Sequence, residues 1–74
     1  MIHPRDAEIL ATFSGRCASI AAVVVADAAP LGRQWRFAGH DLAAAKRAAA
    51  TYADGWVNAR IYQRTADEWS EVAP

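Results

Sequence analysis

The stretch HDLAAAKRAAATYADGWVNARIYQR, residues 40–64, decides how this chain folds, because the period of its apolar residues changes partway along it. His40 or Asp41 can cap a helix, and the run from Leu42 to about Ala53 holds seven alanines and stops before Asp54 and Gly55. A polar cap at one end, strong helix formers inside and Gly just past the other end read as helix. Leu42, Ala45, Ala49 and Tyr52 recur at helical spacing as a narrow apolar stripe, with Lys46, Arg47 and Thr51 on other faces. After Gly55 the period becomes two. Val57, Ala59 and Ile61 alternate with Asn58, Arg60, Tyr62 and Arg64, which predicts an amphipathic strand.

Downstream, Thr65-Ala66-Asp67 supplies a polar turn before Glu68–Val72, whose central Trp69 suggests a hairpin partner. Upstream, Gln34-Trp35-Arg36-Phe37-Ala38 and the β-branched run Val23-Val24-Val25 read as two strands, joined by a loop containing Asp27, Pro30 and Gly32. The N-terminus admits two readings. His3-Pro4 followed by Asp6 and Glu8 suits a helix start, with Ile9, Leu10 and Phe13 on one face. Ala7, Ile9, Ala11 and Phe13 also alternate with Glu8, Leu10, Thr12 and Ser14, and Gly15-Arg16 suits a type II′ turn, so the strand is preferred. Together these elements predict a single α+β domain over residues 1–74. It is a small antiparallel sheet with one central helix, about residues 41–54, packed on one face and the other face left to water or a partner.

Composition limits the core. The chain has 74 residues and a mass of 8.0 kDa, room for one hydrophobic core. Nearly half of its apolar residues are alanine, 19 in all, so the core must be thin and lean on aromatics. Trp35, Trp56 and Trp69 are expected there, with Trp56, at the helix-to-strand turn, the one best placed for display to a partner. Cys17 stands alone, which excludes an intramolecular disulfide and fits a small buried hydrophobe in a reducing, cytoplasmic setting. The apolar run from Cys17 to Ala26 is too short to span a bilayer. Residues 1–16 balance Arg5 and Arg16 against Asp6 and Glu8, unlike a secretory leader, so a core strand is the reading of that run.

The formal net charge of zero argues against a nucleic-acid coat protein and against an acidic DNA mimic. Arg33, Arg36, Lys46, Arg47, Arg60 and Arg64 nevertheless make the middle of the chain basic, and Asp67, Glu68 and Glu71 make its last ten residues acidic. Catalysis has little to stand on. His3 and His40 lack metal-ligand spacing, and Gly15, Gly32, Gly39 and Gly55 are scattered singly at turns, so no enzyme, metal or cofactor is expected. The stronger constellation is Arg60, Tyr62 and Arg64 on one side of a strand, which Arg36 could join from a neighbour. Such a strip can bind a carboxylate-lined protein surface or a phosphate backbone. It can equally be a solvated face whose arginines pair with Asp67, Glu68 and Glu71.

The segment Ala38-Gly39-His40-Asp41-Leu42 with Ala45-Lys46-Arg47 and Ala49, then Val57-Asn58-Ala59-Arg60-Ile61-Tyr62 and later Trp69 and Val72, resembles the helix-plus-hairpin part of small phage-encoded anti-CRISPR proteins. The resemblance covers about residues 38–72, roughly half of the chain, and carries over no catalytic residue. It implies a compact, stoichiometric inhibitor in the cytoplasm of a bacterial host, which binds subunits of a CRISPR surveillance complex and blocks target-DNA binding. Arg36, Arg60, Tyr62, Arg64 and Trp56 are the expected contacts. Two other readings stand beside it. One is a nucleic-acid module in which Arg36, Arg60 and Arg64 hold phosphates and Tyr62 stacks on a base. The other is a structural module that pairs with itself as a homodimer.

Overall fold

A computed structural model describes residues 2–13, 19–28, 30, 32–66 and 68–73. The Gly15-Arg16 turn, Cys17 and Asp67 lie outside the described residues. The element order is α1 (Pro4–Ala11), β1 (Ala22–Ala28), β2 (Gly32–Gly39), α2 (Leu42–Thr51), β3 (Val57–Thr65) and β4 (Glu68–Val72). The four strands form one antiparallel sheet in the order β2-β1-β3-β4. Because β2 and β3 both run antiparallel to β1, the β2–α2–β3 crossover steps over β1, and β1 becomes the centre of the fold. Residues Ala22 to Ala26 are fully buried. A strand covered on both faces has no use for polar alternation, which is why Val23-Val24-Val25 is continuous.

The α+β class, the antiparallel sheet and the central helix agree with the sequence. Asp41 caps α2, its Oδ1 accepting from the Ala43 backbone N–H at 3.0 Å. Ala45, Leu42 and Ala49 pack against Ala22, Val24 and Ile61 on one side of the sheet, joined by Phe37, Trp56 and Val72. The small alanine side chains let the helix approach the sheet closely.

The N-terminus is a correction. It is helix α1, not a strand: Pro4 begins it, and the His3 Nδ1 accepts from the Arg5 N–H at 3.3 Å. Pro at the first helical position has its φ already set for the helix and loses no needed donor. The helix puts Asp6 and Leu10 on one face, Phe13 follows just beyond its end, and all three are buried. Leu10 and Phe13 pack on Val23, Val25 and Tyr62, the side of the sheet opposite α2, so that face is not open as expected.

Two bulges also depart from simple alternation. In β2, Val24 pairs with Phe37 and Val25 with Trp35, so Arg36 is an extra residue. In β3, Val25 pairs with Arg60 and Asp27 with Val57, so Asn58 and Ala59 stand opposite Ala26 alone. Asn58 takes φ 54°, a left-handed conformation that asparagine tolerates better than most residues. The insertion separates Val57 from Ile61: Val57 is mostly exposed, while Ile61 is buried under α2.

Replacing Asp41 by Ala should lower stability by about 1 kcal/mol through loss of the α2 cap. A urea titration should show a lower midpoint with an unchanged slope.

Candidate functional site

Asp6 is fully buried between α1 and the sheet, and its carboxylate is completely partnered. The Arg33 Nε donates to Oδ1 at 3.0 Å and Nη2 to Oδ2 at 2.9 Å, while the Tyr62 hydroxyl donates to Oδ2 at 2.6 Å. Arg33 Nη1 also donates to Asp27 Oδ1 at 3.4 Å and to the Asn58 carbonyl at 2.6 Å, and Nη2 to the Val25 carbonyl at 3.4 Å. These contacts use every N–H direction of the guanidinium fork. Asn58 closes the network by donating from Nδ2 to Asp27 Oδ2 at 2.8 Å, which fixes its left-handed backbone.

Burial alone would raise the Asp6 pKa. Hydrogen bonds from Arg33 and Tyr62 and the charge of Arg33 outweigh it, holding the carboxyl below its ordinary value. Burial and the bond to Asp6 push the Tyr62 phenol up. The Asn58 amide, followed by Arg33, keeps Asp27 low.

The predicted strip is not a continuous surface. Tyr62 has no exposed area; it lies beneath α1, which corrects its expected role as a contact residue. Arg60 is half-exposed but donates from Nη1 to both carboxylate oxygens of Glu71, at 2.9 and 3.0 Å. Arg64 donates to the Phe13 carbonyl at 3.1 Å and lies 5.2 Å over the Trp69 ring, clamping the end of α1 to the sheet. Arg36 sits on β2, separated from β3 by β1, so the four residues are not brought together. Trp56 is partly buried in the α2-side core and stacks on Tyr52 at 4.9 Å.

A different surface is displayed. Gln34, Trp35 and Arg36 are consecutive exposed residues on the edge strand β2. Trp35 is 50 % exposed, and its ring meets Phe13 edge to face at 5.7 Å. Beside it runs an open groove of about 350 Å³, lined by Ile9, Thr12, Arg33, Gln34 and Trp35. The Arg36 bulge interrupts the ladder here, so contact through side chains is favoured over sheet extension. Sequence reading placed Trp35 in the core. Trp35 does lie on the α1 side, against Phe13, but on an edge strand where cover is partial, and alternation does not report which strand is the edge.

A second cleft, of about 300 Å³, is lined by His3, Arg5, Asp27, Arg33, Asn58 and Arg60. Arg33 there is already saturated by Asp6, Asp27 and two carbonyls, so it is a wall rather than a ligand hand. Among the described residues, no three His, Cys, Asp or Glu side chains are gathered to hold a metal ion.

Asp6→Ala leaves the Arg33 guanidinium buried without its main partner and should cost on the order of 3 kcal/mol. Tyr62→Phe, which removes one hydrogen bond to a charged group, should cost about 2 kcal/mol. Both are read from chemical unfolding. The pH dependence has a definite sign. With its folded pKa below the ordinary 3.8, Asp6 contributes fully above about pH 5. Its contribution is lost as the pH falls through 3.8 and then through the lower folded value. The thermal midpoint should therefore drop below about pH 4, and more shallowly in Asp6→Asn.

No protein-family model, curated protein or solved structure matches this chain significantly, so its function is read from its own residues.

Proposed function

We propose that this chain is a stoichiometric protein-binding inhibitor that docks on a larger assembly through the β2 edge, with Trp35 and Arg36 as anchors. The exposed Trp35, set edge to face against Phe13 and beside Arg36, carries the reading. Trp and Arg are the side chains on which interface energy concentrates, Trp through a large area with two rotatable bonds and Arg through its planar set of hydrogen-bond donors. The groove next to Trp35 gives a partner side chain somewhere to seat. The similarity of residues 38–72 to phage-encoded anti-CRISPR proteins directs the search for that partner to the subunits of a CRISPR surveillance complex, with blocked target-DNA binding as the consequence. A nucleic-acid module draws less support: Tyr62 is buried, and Arg60 and Arg64 are engaged within the chain.

The test is a pull-down of the tagged chain against purified surveillance complexes of several types, followed by target-DNA binding with and without the protein. A stable complex that no longer takes DNA is expected. Trp35→Ala should weaken it about thirty-fold, Arg36→Glu should weaken it further, and Arg60→Ala should leave it nearly unchanged. Failure to bind any complex, or equal binding by Trp35→Ala, defeats the proposal.

A further inference from the structure

The sheet has two edges, and they differ. On β2, the bulge at Arg36 interrupts the row of backbone donors and acceptors. On β4, all five residues pair with β3 without a register shift, from Ile61↔Val72 to Thr65↔Glu68. The outer side of β4 pairs with no strand among the described residues, and Glu68, Ser70 and Glu71 are exposed. A regular open edge is a template for another strand, whereas a bulge blunts one.

We propose that two copies of this chain join through β4, antiparallel and centred on Ser70, into one continuous sheet of order β2-β1-β3-β4-β4′-β3′-β1′-β2′. Only this register pairs all five β4 residues with one another. It sets Ser70 opposite Ser70, Glu68 opposite Val72 and Trp69 opposite Glu71, so no two acidic residues face each other. Directly opposed residues must share a face, so the register can slide only by two residues; centring it on Glu71 would set Glu71 opposite Glu71, and like charges directly opposite are destabilising. The charges fit the pairing in a second way. Each Glu71 is neutralised by its own Arg60, and it would come beside the partner copy's Trp69, over which Arg64 lies. A dyad normal to the sheet makes the contact self-complementary and closed. The thin, alanine-rich core of an 8.0 kDa chain gains from the added burial. Both β2 edges stay free at the ends of the joined sheet, so the dimer would present Trp35 and Arg36 twice.

The experiment reads mass by sedimentation equilibrium together with cross-linking. The expected result is twice 8.0 kDa, reversible only on strong dilution. Ser70→Cys in a Cys17→Ala background should give an interchain disulfide with oxidised glutathione, because directly opposed antiparallel residues lie about 4.5–5.5 Å apart at Cα, within disulfide reach. Ser70→Lys, which opposes two ammonium groups at the dyad, should sediment at 8.0 kDa with unchanged far-ultraviolet circular dichroism. If Ser70→Lys fails to fold, the cysteine cross-link decides alone. A mass of 8.0 kDa at every concentration, or a doubled mass without the Ser70→Cys cross-link, overturns the β4 interface. Arg36→Glu, which acts at the opposite edge, should leave the doubled mass unchanged whether or not it lowers partner binding.

Discussion

One buried carboxylate organises this molecule. Asp6 anchors a two-turn helix that, by itself, is too short to be stable in water. It does so through a two-pronged bond to Arg33 and a third bond from Tyr62, so α1, β2 and β3 are tied at one point. Charge burial of this kind is costly unless the ion is paired and hydrogen-bonded, and here both carboxylate oxygens accept, three bonds in all. The consequences spread outward. Arg33 continues to Asp27 and Asn58, which fixes the β3 bulge; Tyr62 is drawn from the surface into the core; and Phe13, at the end of the same helical face, supports the Trp35 ring.

Much of the fold was legible because it is locally encoded. The alanine run behind Asp41, the valine run of β1 and the β3–β4 hairpin each announce themselves within about ten residues. The N-terminus was not, because Ala7 to Phe13 satisfies both periods. What separates them is Asp6, which completes a helical stripe with Leu10 and Phe13 only if a charged residue is allowed on the buried face. Its partner Arg33 lies 27 residues away, and no local pattern connects the two. The binding strip failed for the same reason. Arg60, Tyr62 and Arg64 do share a side of β3, but that side is roofed by α1, and a helix overhead turns a surface into an interior. The bulges at Arg36 and Asn58 each shift the in–out pattern by one residue, which alternation cannot foresee.

Both faces are covered, at least in part, so the proposed recognition falls to the edges of the sheet. The two edges carry opposite chemistry. β2 is broken by a bulge and displays an aromatic ring and a guanidinium, suited to side-chain docking on another protein. β4 carries no bulge, which leaves its outer backbone row regular. On the two proposals, a protein with so little interior would divide its surface between holding itself together and engaging a target.

The central claim is that Tyr62 is sealed under α1 on the Asp6 carboxylate. An ultraviolet absorbance titration of the Tyr52→Phe variant, which leaves Tyr62 as the one phenol, tests it directly. The account predicts that no tyrosinate forms near the ordinary phenol value of 10.0, and that it appears only together with loss of the far-ultraviolet circular dichroism. Ionisation near 10.0 with the fold intact would place Tyr62 in solvent and contradict the account.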